Sequence, residues 1–404
     1  MAEKRSAVRR GDWDDAAMRF VMAGVTAPSH VYPGLGLIAE LVARGHRVTY
    51  VVGDRLAELV AATGAEVVTH DSVMPGADEH WPDDVGEAMQ VFLDDAMTVL
   101  PVVLGIDRPD AVLYDIGGFA GRVAAHRWNV PAVQLSTAYV AWEGMAEEMA
   151  EFDEQVKASP SGARYYATVR AWLDENGLGL DADEFLGSPP ACVVLIPRVL
   201  QPNADRVADR YVFAGPCIDP ARRTGWTPDP GDDRTLVYVA LGTSYTQRPD
   251  IYRACIDGLA GDYRVVLATG KVDPAELGPL PDGVTAARSR PQLDVLEHAS
   301  VFVSHAGMGS AAESLWFGVP TVLVPQAVDQ STNADMLVSV GTGVRPAEPW
   351  TAGSLRAAVD EAAAKAGRAA QVRAEVRRNG GVARAADAVE RLSGENGVRG
   401  ADTR

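Results

Sequence analysis

Cysteine is scarce in this chain. Cys192, Cys217 and Cys255 are the three among 404 residues. They are odd in number, widely spaced and without a Cys-x-x-Cys pair, which argues against a disulfide framework or a zinc site and fits a reducing cytoplasm. Long apolar runs are missing too. None approaches the ~18 residues needed to span a bilayer, and the start, MAEKRSAVRRGDWDDAAMRF, has no apolar stretch of the signal-peptide kind. Positive charge is in short supply, with 37 Lys and Arg against 55 Asp and Glu. The net charge of −18 excludes the basic footprint that nucleic acid demands. An anionic nucleotide remains admissible, because a local nest of backbone N–H groups binds phosphate even inside an acidic protein.

What is present reads as a globular α/β protein. Apolar residues make up 47% and charged residues 23%, and the length suggests two domains of roughly 200 residues each. From Arg19 the chain alternates strand, turn and helix. RFVMAGVTA, HRVTYVVG, AEVVTH, AVLYD and VPAVQLS are short, β-branched strands, and LGLIAELVARG and Gly118–Trp128 are helices between them. That rhythm belongs to a parallel, doubly wound sheet. Residues 140–190 interrupt it with a helical stretch, and it resumes at ACVVLIP and YVFAG. Ile218–Asp233, dense in Pro, Gly and Asp, reads as a linker. A second set follows in TLVYVALG, YRVVLATG, GVTAAR, ASVFVSH and PTVLVPQ, then a helical segment from Ser354 to Arg391. The expected division is a tail at 1–17, a first Rossmann-like domain at 18–217, a linker at 218–233 and a second such domain at 234–375. A final helix and tail at 376–404 are placed to pack back on the first domain. A ligand would bind between the two, at the carboxyl ends of the strands.

The segment SVFVSHAGMGSAAESLWFGVPTVLVPQAVDQSTNAD (Ser300–Asp335) carries the most chemistry. A small-residue turn, His305 to Ser310, joins a buried strand to a helix and exposes free N–H groups at the helix's positive end, which suits a diphosphate. Glu313, expected in the first helical turn, is an acceptor able to bridge two ribose hydroxyls. His30, in TAPSHVYPGL after the first strand, has a near-neutral pKa suited to taking a proton from a hydroxyl. Asp115 ends AVLYD, where it serves either to orient an imidazole or as an N-cap.

Together LVARGHRVTYVV, VLYD, VYVALGTS, PAELGPLPDGV, HAGMGS and VPQAVDQSTNADML resemble the GT-B glycosyltransferases of family 1, most of all the actinobacterial macrolide and antibiotic enzymes, over roughly residues 19–390. The resemblance implies an inverting hexosyltransferase that uses a UDP- or dTDP-sugar and a bulky hydroxylated acceptor, with His30 as base and Asp115 as its partner. It also implies a donor site made of Thr243, Ser244, Arg290, Gln292, His305, Gly307, Met308, Gly309, Ser310 and Glu313, with Asp329 and Gln330 on the sugar. Metal and other cofactors are not required in such a scheme, and dimers are common in the family. Antibiotic biosynthesis and self-protection by inactivation both fit. One departure stands out. Where the related motif opens with a Trp two residues before Pro-Gln, this chain has Ser289-Arg290-Pro291-Gln292, so base stacking would fall to arginine.

Trp81, Phe92, Tyr139 and Trp142 suit a large apolar acceptor and would serve equally as ordinary core. Asp181-Ala182-Asp183 has the spacing of a metal-diphosphate motif, but no strand ends at it, and a solvated acidic loop is expected. Gly34-Leu35-Gly36 with Asp54 loosely matches a dinucleotide fingerprint. An NAD-dependent dehydrogenase and a non-catalytic glycosyltransferase auxiliary protein are therefore the alternative classes.

Overall fold

The computed structural model describes residues 17–76, 81–242, 246–326 and 328–399. Within them the chain forms two fully parallel sheets. The first has strands β1 (Arg19–Ala23), β2 (Arg47–Gly53), β3 (Glu66–His70), β4 (Ala111–Asp115), β5 (Ala132–Ser136), β6 (Cys192–Val194) and β7 (Tyr211–Phe213), in the order 3-2-1-4-5-6-7. The second has β8 (Leu236–Ala240), β9 (Arg264–Ala268), β10 (Val284–Ala287), β11 (Val301–Ser304), β12 (Thr321–Leu323) and β13 (Gly343–Val344), in the order 10-9-8-11-12-13.

Both sheets are two-sided. Every residue of β4, β5 and β8 is buried, as parallel strands covered by helices on both faces require. Edge strand β3 has Glu66 and Thr69 exposed instead. The cover over the first sheet comes from α1 (Pro28–Ala43), α2 (Ala57–Ala61), α3 (Val85–Leu104) and α4 (Phe119–Trp128). The helical stretch after β5 resolves into α5 (Met145–Ala158), α6 (Pro160–Glu175) and α7 (Ala182–Gly187). Over the second sheet lie α8 (Pro249–Leu259), α9 (Gln292–His298), α10 (Met308–Phe317), α11 (Val328–Val340) and α12 (Ala352–Ala363).

The expected single C-terminal helical segment is broken. It continues from α12 as α13 (Ala366–Asn379) and α14 (Val382–Arg399), divided at Gly380-Gly381, where Gly381 takes a φ of 113° that ends a helix. The direction change returns α14 to the first sheet. There Ala385, Ala386, Val389 and Leu392 join the apolar core of β1 and α1, each fully buried Val or Leu contributing about 1.5–3 kcal/mol. Arg44 at the end of α1 holds Asp387 at 2.7 Å and Glu390 at 3.1 Å. Among the described residues no helix is long and apolar enough to cross a membrane.

Candidate active site

Strands β1 and β4 are neighbours, yet the chain leaves them toward opposite edges of the sheet. Their carboxyl ends therefore frame a crevice of the kind that binds ligands in open α/β sheets. His30 and Asp115 meet there, with Nδ1 2.8 Å from Oδ1. His30 lies not in a loop but in the first turn of α1, which begins at Pro28. Proline presets the helical φ at that position, and the Ala27 carbonyl accepts from the N–H groups of His30 (3.0 Å) and Val31 (3.1 Å). Asp115 is buried, and its Oδ1 also accepts from the Gly117 N–H at 2.9 Å. One carboxylate thus sets the turn into α4 and orients the imidazole. With Nδ1–H donating to the carboxylate, the basic lone pair is on Nε2. Burial pulls the His30 pKa down, but the Asp115 charge and hydrogen bond outweigh it and leave it above the ordinary histidine value of 6.5.

His30 forms one wall of a cavity of about 310 Å³. The other walls are Met89 and Phe92 of α3, Ile116 and Gly117 after β4, Phe119 of α4, and Tyr165, Tyr166 and Leu186 from the α6–α7 insertion. Phe92 packs 5.9 Å from the His30 ring, and Trp81 stands edge-on to Phe92 at 5.4 Å. Tyr139 and Trp142 do not line this cavity. The Tyr139 hydroxyl donates to Asn333 Oδ1 at 2.6 Å, tying the first half of the chain to α11. Trp142 donates from Nε1 to Glu148 at 3.1 Å.

The second sheet repeats the switch at β8 and β11. His305 follows β11, and its ring fills the space that Gly242 and Gly307 leave. A Cβ on Gly307 would stand 2.4 Å from Nε2, and one on Gly242 would stand 2.6 Å away. Burial drives the His305 pKa down to about 4, against a weaker opposing contact with the Ala240 backbone. The ring is therefore neutral at pH 7, and among the described residues its buried Nδ1 has no hydrogen-bond partner. Gly307 caps α10 without a side-chain hydrogen bond, so the N–H groups of Met308, Gly309 and Ser310 form the free N-terminal turn. Met308 also packs into the apolar cluster around Tyr139.

Glu313 sits in the second turn of α10 rather than the first, because the helix begins only at Met308. Its carboxylate is nearly enclosed. Arg222 donates to Oε1 at 2.7 Å and Gln292 Nε2 to Oε2 at 2.6 Å. Gln292 also reaches Ser310 Oγ at 3.4 Å and accepts from the Tyr238 hydroxyl at 3.5 Å. Arg290 is half-buried, its Nε unpartnered among the described residues. Asp329 and Gln330 open α11; Asp329 is exposed, while Gln330 is buried and accepts from the Gln326 N–H at 2.8 Å. Thr243 and Ser244 lie outside the described residues.

The remaining motifs find structural explanations. Asp181 caps α7 by accepting from the Asp183 N–H at 2.8 Å, and Asp183 pairs with Lys157 at 2.6 Å. Gly34 and Gly36 are buried inside α1 and form no turn, which removes the dinucleotide fingerprint. Among the described residues no group of three or more His, Cys, Asp or Glu is placed to hold a metal ion. Of the four aromatic residues expected at the acceptor site, Phe92 lines the cavity beside His30, whereas the walls at Met89, Tyr165, Tyr166 and Leu186 carry no signal that separates them from helix core. Asn333 and Arg222 were missed because their contacts join elements of the two halves, and Gly242 because its role depends on the His305 ring that packs beside it.

A base-like dyad at one switch point and an anion-ready turn at the other, facing across a cleft, define a GT-B glycosyltransferase architecture. Residues 256–389 match the family described as erythromycin biosynthesis protein CIII-like, C-terminal domain. Oleandomycin glycosyltransferase of Streptomyces antibioticus is 44% identical over 386 residues, covering 91% of this chain and 89% of that one. The crystal structure of the kitacinnamycin glycotransferase superposes with a TM-score of 0.85 at 41% identity, covering 93% of this chain and 99% of the other. That of a calicheamicin glycosyltransferase gives 0.81 at 32% identity, covering 94% and 99%. The chain belongs to the macrolide and antibiotic glycosyltransferases of the GT-B fold.

Proposed function

We propose that this enzyme moves a hexose from UDP- or dTDP-sugar to a hydroxyl of a bulky, largely apolar natural product, with inversion at the anomeric carbon. The observation that carries this reading is the His30–Asp115 pair, 2.8 Å apart, at the wall of an aromatic cavity. His30 Nε2 takes the acceptor's hydroxyl proton as its oxygen bonds to the anomeric carbon. The bond from that carbon to the diphosphate breaks, and its electron pair stays on the departing oxygen. Asp115 stabilises the imidazolium that forms. The first turn of α10, with His305, Thr243 and Ser244, receives the charge growing on the diphosphate, a contribution largest in the transition state.

Glu313 takes the ribose, Arg290 and Gln292 the base, and Asp329 and Gln330 the hexose hydroxyls. Attack from one face, without a protein nucleophile at the sugar, converts an α-linked donor into a β-glycoside. Cofactors and metal ions have no step in this scheme. The test is a panel of UDP- and dTDP-sugars with a macrolide and a phenolic acceptor, with and without chelator, read by mass spectrometry. A hexose-sized mass gain insensitive to chelator is expected. Tight nucleotide binding with no transfer to either acceptor class would contradict the proposed acceptor.

A further inference from the structure

The donor reading leaves an electrostatic gap. A diphosphate brings about two negative charges, whereas a helix N-terminus offers roughly half a positive one, and His305 is neutral at pH 7. Building on that reading, we propose that Arg222 is the missing cation, handed from Glu313 to the diphosphate when the donor enters.

The geometry points there from three sides. Arg222 holds Glu313 Oε1 at 2.7 Å, with side-chain exposures of 20% and 10%. Gln292 occupies the other oxygen, so a ribose or deoxyribose hydroxyl that donates to the carboxylate competes with these N–H donors for its lone pairs. Arginine is the partner whose release leaves a charge to be used. Its backbone, meanwhile, is fixed on both sides. Asp219 caps the short turn Pro220–Arg222 by accepting from the Ala221 N–H at 2.9 Å. Just after it, buried Asp294 accepts from Arg223 Nε at 2.9 Å, Thr224 N–H at 2.7 Å and Trp226 N–H at 3.2 Å. Movement is therefore left to the side chain. From Glu313 to the start of α10 is about 7.5 Å along the helix axis at 1.5 Å per residue, within the arc of an arginine pivoting on a fixed backbone. The guanidinium also lies over the Tyr32 ring at 4.7 Å, and Tyr32 belongs to α1, the helix that carries His30. Arg222 thus touches the elements of both halves, and its planar cation can stack on the ring while its N–H fork faces phosphate.

The test is calorimetric titration of wild type, Arg222→Ala and Arg222→Lys with UDP and dTDP, each beside its bare nucleoside. Arg222→Ala is expected to weaken the diphosphate the enzyme prefers by roughly 10- to 100-fold, the range of a charge-assisted hydrogen bond. Nucleoside affinity should be unchanged or higher, because the competitor for Glu313 is gone. Arg222→Lys should recover most of the loss and retain the salt dependence that Arg222→Ala loses. Equal weakening of nucleoside and diphosphate would overturn the proposal and make Arg222 a support for Glu313. Tightening of both would also overturn it, leaving Arg222 a simple plug. If wild type binds neither diphosphate, the donor site itself is wrong and this role falls with it.

Discussion

His30 and Asp115 are 85 residues apart in sequence and 2.8 Å apart in space. Parallel pairing of β1 with β4 closes that gap, setting Ala23 opposite Tyr114, one residue short of the carboxylate. Asp115→Asn removes the charge that raises the His30 pKa and leaves burial, which lowers it. The acid limb of kcat/KM is therefore expected to move to lower pH, and the rate to fall roughly 10²- to 10⁴-fold. A limb that stays put in the pH profile would show that the carboxylate does not face the working base.

The same pair should affect stability in the opposite sense to activity. Because the folded pKa of His30 is raised, its contribution is complete below the unfolded value of 6.5 and is lost as pH rises through the folded value. Transfer needs the neutral imidazole and gains over that same interval. Urea unfolding of wild type and Asp115→Asn across this range should show the stability difference shrinking with rising pH.

Gly309 has no heavy atom within 4 Å of the position a Cβ would take, so Gly309→Ala is expected to raise stability by about 0.5–1 kcal/mol. The added methyl faces the proposed diphosphate and should weaken donor affinity at the same time. Gly307→Ala, with its Cβ 2.4 Å from His305 Nε2, should displace the ring and cost both stability and rate. Thermal unfolding beside nucleotide titration separates the two cases; donor affinity unchanged in Gly309→Ala would move the diphosphate elsewhere.

Phe92→Ala opens the wall beside His30 and should raise the acceptor KM by roughly tenfold, about the effect of 1.4 kcal/mol, leaving donor affinity alone. Tyr139→Phe deletes only the hydrogen bond to Asn333. It should cost about 1 kcal/mol of stability and leave the acceptor KM unchanged. Steady-state kinetics on the two variants distinguish an acceptor wall from a clamp between the halves.

Asp294 has a pKa of about 2, since hydrogen bonds from Arg223, Thr224 and Trp226 prevail over burial, which raises it. A depressed carboxylate gives stability above its unfolded value of 3.8 and loses it as pH falls through the folded one. Asp294→Asn should therefore cost about 3 kcal/mol near neutrality, a penalty that narrows in acid, as denaturant midpoints at several pH values would show.

The alternation of β-branched runs with amphipathic helices was enough to read two parallel sheets, because strands buried on both faces have no other way to look. His30, Asp115 and the His305–Ser310 turn were legible for a related reason: each stands at a strand's carboxyl end, where topology opens a crevice. Tyr165, Tyr166 and Leu186 were not, since an aromatic or aliphatic residue on an insertion helix looks the same whether it fills a core or lines a cavity. Arg222 was hidden in a stretch that composition marks only as a linker, and Asp294, which anchors the next residues, reads as an ordinary helix acid. The start of α1 at Pro28 was missed because Pro33, inside the helix, reads as a breaker, although the buried residues Val31 and Gly34–Ile38 hold the helix across it.

The most direct measurement is the rate of sugar transfer by His30→Ala beside wild type at saturating donor, with the anomeric proton of the product observed by NMR. With His30 as the base of an inverting transfer, the wild-type product is a β-glycoside from an α-linked donor, and His30→Ala is slower by at least about 10²-fold while binding nucleotide normally. An α-glycoside, or transfer by His30→Ala at the wild-type rate, would contradict it.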